Sequence, residues 1–475
     1  MQTIQSSDTI FDQLITSQLS ADGDSFRPLI YVLHADVPGG RLLFNTLSCE
    51  LLLLEGDEAN DIEANDYLRS HRFVVPEEFD DRKFADDYRS LLRLMTPEPA
   101  GKGTYTILTT TDCNARCFYC YELGRSRIPM TDATAHKVAE YIHANYCKLK
   151  EENEDASVRI SWFGGEPLYN VRVIDIICND LKEKGVRCHS TMVSNAYLFS
   201  QENVDKAATL WNLKNVQVTL DGTRDVYNRA KAFIYKDTDA FGVVMDSIGR
   251  LLKADIHVTV RMNIDMHNAV NLLQLVDVLA ERFAGEKNLS CYSHPLFEFA
   301  GNGKAHVRSD VRRRKVFECQ QALMDKIIEK GLQRQRRLPK RMVVNRCMAD
   351  NDACVTILPD GHIGLCEHYT DSDFIAHIDT PEIVDAAMVA SFRETWSDLD
   401  ICNGCAYYPH CVRLKKCEEA KACYPEMKEQ YLQDMRKSML AAYEKWHKKQ
   451  SEQAEGLETD NDDILNDDVV TNPDC

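Results

Sequence analysis

Thr111-Asp112-Cys113-Asn114-Ala115-Arg116-Cys117-Phe118-Tyr119-Cys120 places three cysteines in a Cys-x3-Cys-x2-Cys spacing. So short a loop can present three thiolates to a four-iron cluster and leave one iron without a protein ligand. Structural zinc and iron sites usually close with four protein ligands. An open iron is a place for a further molecule to bind, which marks Cys113, Cys117 and Cys120 as candidates for catalysis. A loose zinc site, or three unrelated thiols, is the other reading that spacing alone leaves open.

On both sides of the loop, short apolar strands alternate with helical stretches. Strands are predicted at 105–108, 158–163, 191–194, 216–220, 257–262 and 290–294, and helices at 132–147, 171–184 and 240–253. Such alternation builds a parallel sheet. The fold class is α/β, and residues 101–310 are predicted to form an open, partial (β/α)6 TIM-like barrel. Active residues of such barrels gather at the carboxyl ends of the strands. Cys113, Gly164, Ser194, Asp221 and Asn263 all fall at or just past predicted strand ends.

Ahead of the barrel, residues 1–96 read as a separate unit. Two short strands, 30–33 and 41–44, are joined through Pro38-Gly39-Gly40, and helix-like stretches follow near 48–55, 61–70 and 82–95. Two strands with three helices suggest a winged-helix-like domain. Pro97, Pro99 and Gly101 then punctuate a boundary. Residues 340–425 are cysteine-rich and poor in long periodic patterns, as expected where clusters organise a fold. A helix is predicted at 426–449 and an acidic disordered tail at 450–475, where nine acidic side chains stand without a Lys or Arg.

Composition narrows the class of function. The chain has 475 residues, 44% of them hydrophobic, and a net charge of −19, which argues against nucleic acid as a partner. No stretch approaches the roughly twenty apolar residues of a membrane span, and no secretory signal opens the sequence. Eighteen cysteines without an export signal read as metal ligands and buried thiols in a reducing cytoplasm. A basic segment from Arg308 to Arg346 reads as a solvated helix face, or as a groove for an anionic peptide.

After the second predicted barrel strand comes Trp162-Phe163-Gly164-Gly165-Glu166-Pro167. The glycines allow backbone to approach a ligand closely, and Glu166 offers a carboxylate to an ammonium group. Together with the cysteine loop, this motif resembles the radical S-adenosylmethionine (radical SAM) superfamily. The resemblance implies that SAM binds the open iron through its amino and carboxylate groups, and that Gly164, Gly165 and Glu166 hold its amine. It further implies that the backbone at Tyr119 touches adenine, and that Ser194, Asn195, Thr219, Asp221, Arg261 and Asn263 line the rest of the cofactor pocket. One electron from the cluster would then release a 5′-deoxyadenosyl radical that abstracts a substrate hydrogen.

Cys347-x13-Gly361-x4-Cys366 and Cys402-x2-Cys405-x5-Cys411-x5-Cys417, followed by Cys423, resemble the SPASM extension of peptide- and protein-modifying radical SAM enzymes. Five residues separate Cys411 from Cys417, where the usual pattern has three. The resemblance implies two auxiliary [4Fe-4S] clusters, one on Cys347, Cys354, Cys366 and Cys417 and one on Cys402, Cys405, Cys411 and Cys423, three clusters in all. Two zinc knuckles are the alternative. Glu367 follows Cys366 at the place where sulfatase maturases of this class carry an aspartate base, and is the candidate catalytic carboxylate. Cys49, Cys147, Cys178, Cys188, Cys291 and Cys319 read as buried bystanders.

The resemblance thus implies a maturase that forges a cross-link, a thioether, in a ribosomally made precursor peptide. Residues 28–96 would capture the peptide's leader, and a flavodoxin or ferredoxin-type protein would donate electrons. Deleting residues 1–96 is then expected to abolish peptide modification and to spare uncoupled SAM cleavage. Oxidation of a Cys or Ser to formylglycine is the alternative enzyme reading, and an iron–sulfur or zinc binding module the non-enzyme one.

Overall fold

The computed structural model describes residues 1–17, 25–236, 238–296, 298–299, 305–306, 310–333, 337–344, 346–396, 400–412, 414–417 and 423–454. The chain divides into two compact units. The first takes residues 1–97, 335–347 and 395–475, and the second 98–334 and 348–394.

The first unit opens with β1 (Gln2–Gln5), α1 (Thr9–Ser17), β2 (Phe26–Pro28), β3 (Val32–Val37), β4 (Gly40–Asn45) and β5 (Glu50–Glu55). Then come α2 (Asp66–Ser70), β6 (Val74–Pro76) and α3 (Asp81–Met95). Its main sheet is antiparallel in the order β1-β5-β4-β3. The winged-helix arrangement expected here gives way to this four-stranded sheet. Residues 48–55, expected as a helix, are largely strand β5. Leu51 and Leu53 face one buried cluster while Leu52 and Leu54 face another, so the run Glu-Leu-Leu-Leu-Leu-Glu is apolar on both faces. A strand covered on both sides loses the alternation that identifies strands in sequence.

The second unit carries β7 (Thr104–Leu108), α4 (Asp132–Glu152), β8 (Val158–Phe163), α5 (Val171–Glu183), β9 (Cys188–Ser194), α6 (Gln201–Thr209), β10 (Leu213–Thr219) and α7 (Arg224–Lys231). It continues with α8 (Ala240–Lys253), β11 (His257–Ile264), α9 (Ala269–Arg282), β12 (Leu289–Pro295), the short β13 (Glu298–Phe299) and β14 (Ala305–His306), and α10 (Asp310–Glu329). Strands β7 to β12 pair in chain order and run parallel, as the βα alternation requires, and all six coincide with predicted strands. This is the parallel α/β sheet of a partial barrel. Beyond β7 the sheet gains β15 (Cys354–Ile357), which is parallel to it, then the antiparallel β16 (His362–Gly364) and β17 (Ala376–His377). Helix α11 (Ala386–Arg393) closes the unit. The residues expected to form one cysteine-rich domain, 340–425, are therefore shared between the two units.

Burial alternates along the barrel strands. Val158, Ile160 and Trp162 of β8 are buried, as are Val258, Val260 and Met262 of β11, while the residues between them are more open. The apolar face of the sheet packs on helices and the opposite face is polar. Cys147, expected to be buried, is exposed, because the buried stripe of α4 runs through Val138, Ala139, Ile142 and Tyr146 instead.

The first unit ends in α12 (Pro425–Ala454), several residues longer than predicted. Met435 and Met439 of α12, with Ala406, join Leu42, Phe44, Leu51 and Leu53 in one core. A neighbouring core joins Phe11, Tyr31, Tyr88, Met342 and Tyr408, with Cys402 and Cys405 packed against it. Thr46 Oγ1 donates to the Ala406 carbonyl (2.8 Å), and His410 Nε2 faces the Thr46 carbonyl at 2.6 Å. The front sheet and the last cysteine segment thus fold as one body. Most of the acidic tail lies outside the described residues, as do Arg308, Arg334 and Arg336 of the basic segment.

Candidate active site

The cysteine loop leaves the carboxyl end of β7. Asp112 caps it, its carboxylate accepting from the Cys113 N–H at 2.8 Å, and the Arg116 guanidinium holds the Cys113 carbonyl. Cys113, Cys117 and Cys120 are free, half-buried thiols. Burial, with Glu166 nearby, pushes the Cys113 thiol up to about 12, and burial pushes Cys120 up to about 11. Two donors already aim at the Cys113 sulfur, the Ala115 N–H at 3.3 Å and Asn195 Nδ2 at 3.8 Å. Donors to sulfur stabilise a thiolate and tune an iron–sulfur cluster. Among the described residues, no three His, Cys, Asp or Glu are gathered tightly enough to grip a single metal ion. Three thiols on one short loop are the donor chemistry that an iron–sulfur cluster takes.

The Gly-Gly-Glu-Pro turn follows β8 and packs directly on that loop. A Cβ on Gly164, whose φ is +121°, would lie 2.2 Å from the Thr110 carbonyl oxygen, and one on Gly165 2.4 Å from that of Asp112. Those two carbonyls accept the Gly165 and Glu166 N–H groups, each at 3.0 Å. In this structure the glycines are required by the approach of the turn to the cysteine loop. Glu166 is wholly buried and accepts from Ser194 Oγ (2.8 Å), the Asn195 N–H (2.8 Å) and the Leu168 N–H (3.1 Å). Burial nevertheless raises its carboxyl to about 7. Glu166 therefore ties the ends of β8 and β9 together, and Asn195 passes the connection on to Asn114 (2.6 Å) and Cys113.

The parallel register brings Thr219, Arg261 and Tyr292 side by side, with Asn263 next to His294, all at strand ends on the polar face. Side chains on this face bond to one another, Tyr292 Oη donating across strands to Gln217 (2.9 Å) and Arg261 donating along β11 to Asn263 (3.0 Å). A face so lined suits a polar ligand. Sequence reasoning named Thr219, Arg261 and Asn263 but missed Tyr292 and His294, although both sit in a predicted strand. Burial, then the Arg261 guanidinium, pushes the His294 imidazole down to about 3 and keeps it neutral.

Asp221, just past β10, meets two residues that no motif announced in these roles. Its Oδ2 accepts from Tyr119 Oη and lies 3.2 Å from Lys231 Nζ, and that ammonium donates to Tyr119 Oη at 2.6 Å. Burial opposes the Lys231 charge, but Asp221 and Cys117 outweigh it and hold its proton more tightly than usual. Asp221 Oδ1 is buried without a hydrogen-bond partner, an acceptor left for a donor-bearing ligand.

Glu367 lies beside the same loop. The Tyr121 ring stands 4.7 Å from that of His368, and Arg125 donates to the His368 carbonyl (2.9 Å) and to Thr370 Oγ1 (2.6 Å). Tyr121 feels the charges of Glu122 and Glu367, and all three keep a buried oxygen without a hydrogen-bond partner. Burial raises Glu122 to about 7. Nothing in the spacing singled out Tyr121, Glu122 or Arg125.

Of the remaining cysteines, Cys402, Cys405, Cys411 and Cys423 lie in the first unit. Burial pushes the Cys423 thiol up to about 12, and the thiols of Cys411, Cys402 and Cys405 add to the shift. These four stand within electrostatic reach of one another. Of the other expected quartet, Cys347 and Cys417 belong to the first unit and Cys354 and Cys366 to the second.

Comparison with known proteins agrees with this geometry. Residues 107–280 match the radical SAM superfamily model. An uncharacterized protein of Methanocaldococcus jannaschii is 29% identical over 116 residues, 24% of this chain, and the match spans about a third (36%) of that relative's length. Among solved structures, anSMEcpe with bound AdoMet superposes with a TM-score of 0.54 at 13% identity, covering 73% of this chain and 94% of its own. Streptococcus suis SuiB bound to S-adenosylmethionine gives 0.50 at 13% identity, over 83% and 96%, and SuiB bound to precursor peptide SuiA gives 0.50 at 12%, over 84% and 98%. At such identities the likeness speaks for the fold alone. With the open cysteine loop at the carboxyl edge of a parallel sheet and the family match across that sheet, residues 107–280 form a radical SAM superfamily domain, that of an enzyme.

Proposed function

We propose that this enzyme is a SPASM-type maturase that removes a hydrogen from a residue of a ribosomally made precursor peptide and closes a cross-link there, a thioether. Cys113, Cys117 and Cys120 would hold a [4Fe-4S] cluster, with the Ala115 N–H and Asn195 donating to the Cys113 sulfur. SAM would lie over the polar strand ends, oriented by Thr219, Arg261, Asn263 and the open oxygen of Asp221. When bound, cluster and cofactor supply the one-electron cleavage that takes a hydrogen atom from an unactivated carbon. Cys402, Cys405, Cys411 and Cys423 would hold a second cluster, and Cys347, Cys354, Cys366 and Cys417 a third. Glu367 would accept the proton released by the peptide's thiol or hydroxyl.

The carrying observation is the first unit, in which a four-stranded sheet shares its cores with the Cys402–Cys411 segment. Strand β3 stands at the edge of that sheet and can take an extended leader as a fifth strand. SuiB, similar over most of this chain, is known bound to its precursor peptide SuiA, which supports a peptide substrate. A flavodoxin or ferredoxin-type donor in the cytoplasm would supply the electrons. Among the described residues no helix is long and apolar enough to cross a membrane.

Co-expression with small peptides encoded beside the gene tests this reading by mass spectrometry. Loss of two hydrogens from one peptide supports cross-linking, whereas loss of sulfur from a cysteine points to formylglycine. About twelve irons per chain are expected after anaerobic reconstitution, and zinc without iron would overturn the assignment. Glu367→Gln should stop peptide turnover and spare SAM cleavage, and full turnover in that variant removes Glu367 from the mechanism.

A further inference from the structure

Helix α7 ends at Lys231, and Ala232 turns out of it in the left-handed region at φ 44°. That turn grips the cysteine loop. The Lys231 carbonyl accepts the Arg116 N–H (2.8 Å), and the Ile234 N–H donates to the Asn114 carbonyl (2.9 Å). The Lys231 side chain folds inward until it is 4% exposed, against an Asp221 that is 2% exposed. Its ammonium lies 5.3 Å from the centre of the Tyr119 ring and 6.0 Å from that of Tyr227. Tyr119 sits between Phe118 and the ligand Cys120, so its hydroxyl joins the charge pair to the loop itself.

A buried ion pair is weak evidence of stabilisation, because apolar residues of similar volume often serve as well. Beside a redox centre the same pair has a further consequence. Reducing an iron–sulfur cluster adds one negative charge, and a fixed charge nearby, poorly screened inside the protein, favours or opposes that step according to its sign. We propose that Lys231 and Asp221 are positioning residues whose paired charges, linked through Tyr119, set the reduction potential of the cluster on Cys113, Cys117 and Cys120. This rests on the reading of that loop as a cluster site.

The test is the potential itself, measured by redox titration with electron paramagnetic resonance on the reconstituted full-length protein without SAM or peptide. The loop cluster's signal is identified as the one missing from the variant in which Cys113, Cys117 and Cys120 are all alanine. Lys231→Met leaves Asp221 uncompensated and should make reduction about tenfold less favourable, a fall of about 59 mV for a one-electron couple. Asp221→Asn leaves the ammonium uncompensated and should shift the potential by a similar amount upward. The double variant should return close to the parent, because the two charges act as one unit. A purely structural role would not give shifts of opposite sign. Unchanged potentials, or both single variants moving the same way, overturn the proposal. If Lys231→Met takes up no iron, Asp221→Asn decides alone, a rise supporting the pair and no change removing it. If the three-alanine variant loses no iron and no signal, the cluster reading itself fails, which is a separate result.

Discussion

Single residues at the turn after β8 do different work from what their motif suggests. Gly164 and Gly165 are forced by backbone packed against backbone, with carbonyl oxygens where a Cβ would stand. Gly164→Ala combines that clash with a φ of +121°, and should cost about 1–3 kcal/mol for the backbone conformation alone. A lower urea midpoint with an unchanged slope would show it, and parental stability would mean that the turn relaxes freely. Glu166 makes a prediction about pH. Its native carboxyl titrates at about 7, above the 4.5 of an ordinary glutamate, because burial outweighs its three donors. The folded state therefore keeps a proton that the unfolded chain has already lost between those values. Its contribution to stability is full below the ordinary glutamate value and falls as pH rises toward 7, by at most about 1.4 kcal/mol per unit. The difference in unfolding free energy between the parent and Glu166→Gln should shrink across that window. A pH-independent difference would mean that Glu166 is ionised throughout.

At the scale of elements, strand β5 shows where the sequence was hard to read. Four consecutive leucines flanked by glutamates resemble a helix face until both sides of a sheet are known to be covered. Leu52 is wholly buried with Phe73 and Val74, away from the face that Leu51 and Leu53 present to Met439. Leu52→Ala should cost about 2–5 kcal/mol, and a loss below about 1 kcal/mol would argue that this second face is not packed. The barrel strands, by contrast, were legible, because each is an apolar run between helix-length segments and their parallel pairing follows from that order. The cysteine loop and the Gly-Gly-Glu-Pro turn were legible for a related reason: short local spacings carry their geometry with them. Lys231, Tyr121 and Arg125 were not. Their partners lie on other loops, Asp221 with Tyr119 in one case and the 367–370 turn in the other, and no periodicity relates them.

For the whole molecule, the division of the chain changes how leader capture must be tested. Read as a separate domain, residues 1–96 would be removable, leaving a barrel that still cleaves SAM. The structure instead buries Ala406, Tyr408, Met435 and Met439 in cores built on Phe11, Tyr31, Phe44 and Tyr88, and seats Cys402 and Cys405 against one of them. The Arg89 guanidinium also holds the Pro409 carbonyl, two residues before Cys411. Removing the front segment strips the apolar surface that orders this cysteine segment, so about four of the expected twelve irons should be lost along with peptide turnover. Iron analysis of the truncated protein checks this, and a full complement would show that the cysteine segment folds without the front sheet. Leader capture then has to be isolated at the edge strand. His34 is an exposed residue of β3 opposite Leu43 in a pair that exchanges no ladder bonds, so its N–H faces the open edge, and His34→Pro removes that donor and opposes the pairing of an added strand. Because His34 also faces Leu43 of β4, unfolding must be monitored in the same samples. With the fold and iron content retained, this variant should bind a leader peptide at least tenfold more weakly while SAM cleavage without peptide is unchanged. Undiminished leader binding would place the peptide on another surface.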